Sequence, residues 1–368
     1  MQTLIRILSS RLIKGRSKAT SSGQKLKIMN KFTKKKAFVG IDISKDQLDL
    51  VLLQEENYGS FQDKKVSNNF SGFETIVKWL EKKDVHLEDC LFCMEHTGTY
   101  GLLFFAWLSQ MGIDFVVEPG LKIKRSLGIT RGKNDKLDAR RIADYAYSNR
   151  AKLEPFVMPS ALLIQIKQLL TYRDQLTRMR TSFKNSLKSH SQYQRVSGFK
   201  SITEEISGQI EEFGKRIEST EKQIEALIES DEALKKNYKL ATSVKGVGFV
   251  IGTFMLVTTN NFTSFENGRK YACYSGIAPF EHTSGTSIRG KTRVSNLANK
   301  KMKSLLSNGA NSAYKWDPEL KNYYKRKIAE GKEHKLVINS ICCKLVNRVF
   351  ATVKRQTPFV LTYKQNFC

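Results

Sequence analysis

The sequence is poor in cysteine and proline, and it lacks a long apolar run. It holds six cysteines and six prolines in 368 residues, too few cysteines for the disulfide framework of a small secreted protein. The longest apolar run, Phe249 to Val257, is too short to span a bilayer. Hydrophobic residues make up 40% of the chain, which excludes global disorder. We therefore expect a soluble protein of the reducing cytoplasm with no membrane partner.

The cysteines do not indicate a zinc site either. Cys90 and Cys93 lie close to His86 and His96 in the sequence, and this resembles the spacing of zinc ligands. The two cysteines belong to an apolar run, however, and strand alternation would send their side chains to opposite faces. Buried reduced thiols are the favoured interpretation.

Acidic residues are scarce in two segments, and the chain carries a formal net charge of +27. Residues 1–36 contain eleven lysines and arginines and no acid, and residues 288–356 contain seventeen against four acids. Such a charge density would repel itself unless it faced phosphates. A basic surface that serves solubility is the alternative, but nucleic-acid binding is favoured, with DNA as the expected partner.

The residue pattern predicts an α/β domain followed by an all-α part. Residues 37–158 alternate apolar strands with helices, which is typical of a compact mixed sheet with helices. Residues 159–237 have apolar residues at helical spacing, with a 4-3 repeat from Ile206 to Leu227. We expect a long coiled-coil hairpin there, used for dimerisation or as a strut between domains. An ordinary intramolecular helix pair is equally compatible with the repeat.

The rest of the chain is a C-terminal domain and two ends. Residues 238–357 predict a mainly helical domain, and residues 358–368 a short tail. Residues 1–36 predict a basic disordered extension whose first 28 residues resemble a transit peptide in composition. We expect either a start of translation at Met29 or an arm that binds nucleic acid.

The motif Ser243-Val-Lys-Gly-Val-Gly248 precedes an apolar helix and looks like a helix-hairpin-helix turn. Glycines in such a turn let backbone N–H groups approach a phosphate. We therefore expect Lys245, Gly246 and Gly248 to contact nucleic acid. The alternative is that the glycines simply end a helix.

Four acidic residues stand where an active site on a sheet would need them. Asp42 and Glu95 each end an apolar strand, where a carboxylate would lie at the exposed edge of the sheet. Asp135 and Asp138 are three residues apart and share one face at the start of the next predicted helix. Together they predict a hard-oxygen site for Mg²⁺ or Mn²⁺. The alternative for the helical pair is stabilisation of the helix N-terminus.

Basic residues accompany these acids. Eight lysines and arginines lie between Lys122 and Arg141, and they would bring a phosphate backbone to the carboxylates. Among them we expect Lys133, Arg140 and Arg141 to contact nucleic acid. Two cations about 4 Å apart at the acids would activate a nucleophile and stabilise a leaving oxygen in phosphodiester chemistry.

The series Gly-Ile-Asp42, Glu95-x-Thr-Gly-x-Tyr100 and Asn-Asp135-x-x-Asp138-Ala-Arg resembles the DEDD set of the Piv-like transposases. This is the insertion-sequence family that includes the pilin-gene invertase. The resemblance implies a ribonuclease H-like, RuvC-type fold for the N-terminal domain, with the four acids as catalytic metal ligands.

A second motif extends the resemblance to the C-terminal domain. The segment from Tyr274 to Gly285 is similar to the family's C-terminal signature, which ends in a Ser-Gly pair. The match implies that Ser284 is the nucleophile and forms a covalent link to DNA. Without it, Ser284 lies in a polar, flexible loop, where His282 would position the loop.

Three neighbouring hydroxyls compete with Ser284 for that role, namely Thr283, Thr286 and Ser287. The cations that follow could stabilise the charge that develops on phosphate. They are Arg289, Lys291 and Arg293.

Segments from Asn299 and from Asp317 onward also resemble the family and predict basic helices on nucleic acid, with Lys300 and Lys301 as contacts. Phe262 and Trp316 would stack on bases or pack in the core, and core packing is favoured.

The resemblance covers about residues 36–357 and implies a transposase, with DNA and a structured guide RNA as partners. Exchange of strands needs several active sites, so a dimer or tetramer in the bacterial nucleoid is expected. A RuvC-type nuclease or junction resolvase that uses water is the alternative. A third possibility is a decayed element protein that binds nucleic acid without chemistry.

Overall fold

The computed structural model describes residues 32–126, 135–190, 193, 199–284, 288–294 and 298–361, with no side-chain description at 199 and 281–293. The chain divides into two compact units, residues 1–158 and 159–368. We refer to them as the sheet unit and the helical unit. Residues 1–31 of the basic extension lie outside the described residues, and so does Lys133.

The sheet unit is built on five strands in the order β3-β2-β1-β4-β5. Strand β1 pairs antiparallel with β2 and parallel with β4, and β4 pairs parallel with β5. The sheet is therefore mixed, as the sequence predicted. The strands are β1 Ala37–Ile43, β2 Gln47–Gln54, β3 Phe61–Ser67, β4 Cys90–Glu95 and β5 Phe115–Glu118.

Helices cover both faces of this sheet. They are α1 Phe70–Glu81, α2 Leu102–Gln110, α3 Gly120–Ser126 and α4 Asp135–Asn149. Side chains alternate along each strand, so Val39 and Ile41 pack with α1 and α2, while Phe38 packs with α4. The same alternation separates Cys90 from Cys93, which are both buried but belong to opposite cores. Burial raises the pKa of the Cys90 thiol to about 12.

The helical unit contains eight helices among its described residues, together with one β-hairpin. The helices are α5 Ala161–His190, α6 Phe199–Glu229, α7 Glu232–Thr242, α8 Phe249–Thr258, α9 Gly268–Tyr274, α10 Lys300–Trp316, α11 Pro318–Ala329 and α12 His334–Arg355. The hairpin strands are β6 Pro279–Ser284 and β7 Ile288–Val294. This arrangement confirms the prediction of a mainly helical C-terminal half.

Helices α5 and α6 pack along each other. Phe183 of α5 contacts Phe213 of α6 with ring centroids 5.5 Å apart, and Ile217 and Ile224 of the 4-3 repeat are buried within the single chain. The seam is thus filled without a second copy of the chain. Whether the pair also dimerises stays a prediction.

Helix α12 runs through the core of the helical unit. It is the one helix among the described residues that is long and apolar enough to cross a membrane. Its apolar side chains Val337, Ile341, Leu345 and Val349 are buried against α10 and α9. The packing of this helix in the core accounts for its apolar composition.

Candidate active site

Asp42 and Glu95 lie at the carboxyl ends of two neighbouring parallel strands. The register pairs Ile41 of β1 with Met94 of β4, so the next residue on each strand leaves the paired region beside the other. Alternation places both carboxylates on the face of the sheet that α4 covers. Both acids therefore lie at the ends of their strands, as predicted, and on the same face of the sheet at the same edge.

Helix α4 approaches the same edge through a glycine. A Cβ atom at Gly40 would lie 2.2 Å from the carbonyl oxygen of Ala139 and 2.3 Å from the backbone nitrogen of Ala143. Only a residue without a side chain allows this contact. Because Asp135 and Asp138 occupy the first turn of α4, just before Ala139, the contact brings that turn toward Asp42.

Glu95, Asp135 and Asp138 each lie close enough to Asp42 to affect its ionisation. The pKa of Asp42 is raised from its ordinary value of 3.8 to about 6, first by burial and then by repulsion from Asp135, Asp138, Glu95 and Asp49. Asp49 faces Asp42 across the β1–β2 ladder and pairs with Lys65 at 3.5 Å. We call Asp42, Glu95, Asp135 and Asp138 the acidic site.

Two further contacts fix carboxylates of the acidic site. Asp138 accepts a hydrogen bond of 2.7 Å from Arg141 on the next turn. The carboxyl group of Glu95 lies against Gly120 at the start of α3, where an added Cβ would be 1.8 Å from Oε1. Gly120 thus leaves the space that the Glu95 side chain fills.

The donor set suits a hard divalent cation. It consists of carboxylate oxygens, and mutual repulsion at Asp42 is the kind of charge excess that a cation would relieve. Among the residues that the structure describes, no three acidic, histidine or cysteine side chains converge closely enough to hold one ion. The acidic site therefore supplies oxygen donors in an open arrangement.

Sequence reasoning did not select Glu118 as part of this edge. Glu118 pairs with Glu95 across the β4–β5 ladder and is buried. It accepts a hydrogen bond of 2.6 Å from Lys122, and Lys122 also interacts with Tyr145 of α4. The only sequence signal was a third acid at the end of an apolar strand. The partner on α4 is distant in sequence, so the contact was not predictable.

The predicted contacts of the helical unit lie on several elements. Ser284 is the last residue of β6 and pairs with Ile288 of β7, so it ends a hairpin strand rather than standing in an irregular loop. Arg289, Lys291 and Arg293 belong to β7.

The segment Ser243-Val-Lys-Gly-Val-Gly248, which we call the glycine turn, lies between α7 and α8. Gly246 has φ +96°, a conformation that favours glycine. A Cβ there would lie 2.6 Å from the carbonyl oxygen of Gly309 on α10. A cleft of about 700 Å³ opens beside the turn, and Lys245 and Lys301 are among its lining residues.

Other predicted contacts differ in how far their charge is already paired. Lys301 pairs with Asp174 at 2.7 Å, whereas Lys300 is exposed. Arg140 lies over the ring of Phe61, 3.7 Å from its centroid.

The two aromatic residues considered for base stacking have opposite environments. Phe262 packs against Phe350 with ring centroids 5.4 Å apart, which confirms the preference for the core. That preference was wrong for Trp316, whose exposed fraction is 74%. Trp316 ends α10, and its side chain extends beyond the helix packing.

Two family models match the chain. One, described as a transposase of the DEDD type found in IS110 elements, matches residues 39–192. The other, described as the transposase IS116/IS110/IS902 family, matches residues 238–325. The first match contains all four residues of the acidic site, and the second contains the glycine turn, Ser284 and Trp316.

Similar proteins extend the match along the chain. The pilin gene-inverting protein of Moraxella bovis is 28% identical over 330 residues, which is 88% of this chain and 98% of that protein. An uncharacterized 44.8 kDa protein of insertion element IS116 from Streptomyces clavuligerus is 21% identical and covers 88% of this chain and 96% of its own length. Among solved structures, Thermus thermophilus RuvC aligns over 33% of this chain and 99% of its own, at 13% identity and a TM-score of 0.25. With both family models matched in order along its length, the chain belongs to the IS110/IS116/IS902 family of transposases.

Proposed function

We propose that this transposase cuts and rejoins DNA through a covalent serine–DNA intermediate, with a divalent cation at the acidic site. The observation that carries the proposal is that Asp42, Glu95 and the first turn of α4 lie at the same edge of the sheet. Burial and repulsion from the other three acids raise the pKa of Asp42, so placing Asp42 among them costs stability in the absence of a cation. Such a cluster is typical of a site that binds a cation and a phosphate.

Ser284 is the proposed nucleophile, supported by the family signature in which it stands. Its Oγ forms an ester with the phosphorus while the bond from phosphorus to the leaving ribose oxygen breaks. The proton from the serine hydroxyl is transferred to the departing oxygen. In the second step a DNA hydroxyl attacks the phosphoserine ester and Ser284 regains its proton. One phosphoester replaces another in each step, so rejoining needs no ATP.

Asp42, Glu95, Asp135 and Asp138 would hold Mg²⁺ or Mn²⁺. The bound cation would neutralise the carboxylates and stabilise negative charge on phosphate oxygens. Arg289, Lys291 and Arg293 follow Ser284 on β7, and their guanidinium and ammonium groups would add further stabilisation of the phosphorane. Positive charge elsewhere in the helical unit would hold the DNA backbone.

Two partners belong to the same proposal. A structured RNA from the flank of the element would supply sequence specificity by base pairing, while the protein grips backbones. A dimer or tetramer would bring two duplexes and several active sites together. Near the acidic site, nucleic acid would contact Lys133, Arg140 and Arg141. In the helical unit it would contact Lys245, Gly246, Gly248, Lys300 and Lys301. We place this chemistry in the cytoplasm, at the nucleoid.

The test is a search for a protein–DNA adduct. The full chain is incubated with Mg²⁺, end-labelled junction DNA of the element and its flanking transcript, and the products are separated on a denaturing gel. We expect an adduct with the wild type and none with Ser284→Ala or Asp42→Asn. Asp46→Asn, which removes an exposed acid outside the DEDD set, is the matched control and should form the adduct.

The alternative is a RuvC-type nuclease or junction resolvase, in which water attacks. Cut DNA without an adduct, with Ser284→Ala as active as the wild type, would establish it in place of the serine mechanism. An adduct that persists in Ser284→Ala but disappears in Thr283→Val or Ser287→Ala would move the nucleophile to that hydroxyl. Binding with no Mg²⁺-dependent cleavage in any variant would indicate a protein without chemistry.

A further inference from the structure

The most exposed tryptophan of the chain lies beside the glycine turn. Trp316 has an exposed fraction of 74%, whereas Trp79 and Trp107 pack partly buried against a core. A single exposed apolar residue needs no explanation by itself. Its position relative to the cations of the helical unit makes this one informative.

One face of α10 connects Trp316 to the glycine turn. Gly309, Ala313 and Trp316 are spaced four and three residues apart, so they lie on the same side of the helix. Gly309 and Ala313 contact Gly246, since a Cβ on Gly246 would be 2.6 Å from the Gly309 oxygen and 2.7 Å from the Ala313 Cβ. The face packs tightly for about one turn, from Gly309 to Ala313, and then ends in an exposed indole.

The backbone around the indole is fixed. The carbonyl oxygen of Trp316 accepts a hydrogen bond of 3.5 Å from Lys245 Nζ. The next residue, Asp317, is fully buried and caps α11 by accepting a hydrogen bond from the Leu320 N–H. A rigid backbone that carries an exposed ring reduces the entropy lost when a ligand stacks on it.

The charge beside the indole is positive and not neutralised. Within the part of the chain that the structure describes, no carboxylate forms an ion pair with Lys245. Two other cations that line the cleft differ, because Arg173 pairs with Glu221 at 2.5 Å and Lys301 with Asp174 at 2.7 Å. Lys315, next to the indole in the sequence, is also exposed.

We propose that Trp316 and Lys245 form a binding site for single-stranded nucleic acid, in which an unpaired base stacks on the indole and a neighbouring phosphate contacts the ammonium group. An exposed aromatic ring flanked by cations is the arrangement that binds single strands without sequence preference. A duplex keeps its bases stacked inside and offers no free base to the indole. The site therefore selects unpaired nucleotides, such as those of strands that separate during exchange, and in this it rests on the proposed function.

The test measures binding of a non-reactive strand. Fluorescein-labelled oligothymidylate of about twelve nucleotides is titrated with the full chain without divalent metal, in parallel with a duplex of equal length. We expect Trp316→Ala to weaken single-strand binding about tenfold and to change duplex binding less than about twofold. Trp316→Phe should retain most of the affinity, because the ring is kept.

A matched variant separates stacking from simple apolar contact. Trp316→Leu keeps an apolar side chain but has no π-face, so it should bind the strand as weakly as Trp316→Ala. Full binding by Trp316→Leu would overturn the site, because it would show that the strand does not stack on the indole. Because the side chain is exposed, thermal unfolding of all three variants should match the wild type.

Two further measurements complete the test, namely the quenching of tryptophan fluorescence and the salt dependence of the affinity. Oligothymidylate should quench the tryptophan emission of the wild type but not that of Trp316→Phe. Lys245→Ala should lower the slope of log affinity against log salt by about 0.7 for a single strand, while Lys245→Arg should restore it. Unchanged quenching in Trp316→Phe would contradict the site. Cleavage is not involved, so loss of the serine adduct and loss of strand binding are independent results.

Discussion

The sheet unit concentrates negative charge at one site, whereas the helical unit spreads positive charge over its surface. In the sheet unit, carboxylates are crowded at one edge and Asp42 is partly buried beside like charges. In the helical unit, cations are numerous but mostly exposed and separated, as at Lys245, Lys300 and Lys315. Crowded charge of one sign lowers stability until a counter-ion arrives, whereas dispersed surface charge costs little. Removing a charge from the acidic site should therefore change stability strongly, whereas removing an exposed cation of the helical unit should change nucleic-acid binding more than stability.

The largest effect is expected at an exception to this contrast, the largely buried cation Arg348. It pairs with the fully buried Asp317 at 2.8 Å and with Glu319 at 2.6 Å. Arg348→Met leaves the Asp317 carboxylate buried without its cation, and we expect a loss of about 3–5 kcal/mol in the free energy of unfolding. Urea unfolding followed by circular dichroism measures it.

The double variant sharpens this prediction. Asp317→Asn combined with Arg348→Met removes both charges, so it should be less destabilised than Arg348→Met alone. Lys321→Ala, an exposed cation of α11, is the control and should lie within about 0.5 kcal/mol of the wild type. Equal losses in the single and double variants would mean that Arg348 acts through packing alone.

The next largest effect is expected at Gly40, which positions the acidic site. Gly40→Ala places a Cβ against the backbone of Ala139 and Ala143, so α4 must move away from β1. We expect a loss of about 3 kcal/mol in the free energy of unfolding and loss of cleavage in the soluble fraction. Gly208→Ala on α6 is the control, because a Cβ there meets nothing within 4 Å. The free energy of unfolding of Gly208→Ala should rise by up to about 1 kcal/mol. A similar loss of this free energy in both variants would contradict the packing explanation.

The positions of the four acids on strands and helix were predictable from sequence because they follow from local rules. An apolar strand that ends in an acid, as at Asp42 and Glu95, puts that acid at the sheet edge in any α/β arrangement. The spacing of Asp135 and Asp138 fixes a shared helical face wherever the helix lies. What the sequence could not supply was the contact of α4 with Gly40, which depends on packing between residues distant in the chain.

Elements with mixed patterns were missed for the opposite reason. Strand β3, Phe61–Ser67, reads FQDKKVS and is an edge strand, so only Val66 is buried. The segment that forms β6 and β7 is rich in threonine, serine and glycine, so its sequence predicts a loop. Trp316 was assigned to the core because large aromatic residues usually are buried. In each case the outcome depends on which neighbours are present and not on the local pattern.

A third prediction concerns the like charges at Asp42. Its pKa is 3.8 unfolded and about 6 folded, so the carboxyl group is protonated in both states below about pH 4 and costs nothing there. Stability falls as the pH rises through the interval from about 4 to 6, and the full cost is present above it. Asp42→Asn should therefore be more stable than the wild type at pH 7.5, by about 1–2 kcal/mol after allowance for partial exposure.

The measurement is thermal unfolding at pH 4 and pH 7.5 without divalent metal. The gain of Asp42→Asn should disappear at pH 4, and Asp46→Asn should show none at either pH. Added Mg²⁺ should raise the unfolding temperature of the wild type more than that of Asp42→Asn, because binding to the folded state stabilises it. A variant less stable than the wild type at pH 7.5 would show that Asp42 is held by favourable contacts.

The smallest effect on stability is expected from Lys300 and Lys301, two adjacent lysines at the start of α10 that differ in pairing. Lys301 is paired with Asp174, while Lys300 forms no ion pair within the described part of the chain. Replacing either by alanine should change the free energy of unfolding by less than about 0.5 kcal/mol. Their effects on binding should differ, since only an unneutralised cation releases the full complement of counter-ions from DNA. Lys300→Ala should reduce the slope of log affinity against log salt for duplex DNA by about 0.9, and Lys301→Ala by clearly less. Equal changes in the two variants would mean that DNA displaces Asp174 from Lys301, so that pairing in the free protein does not predict which cations bind phosphate.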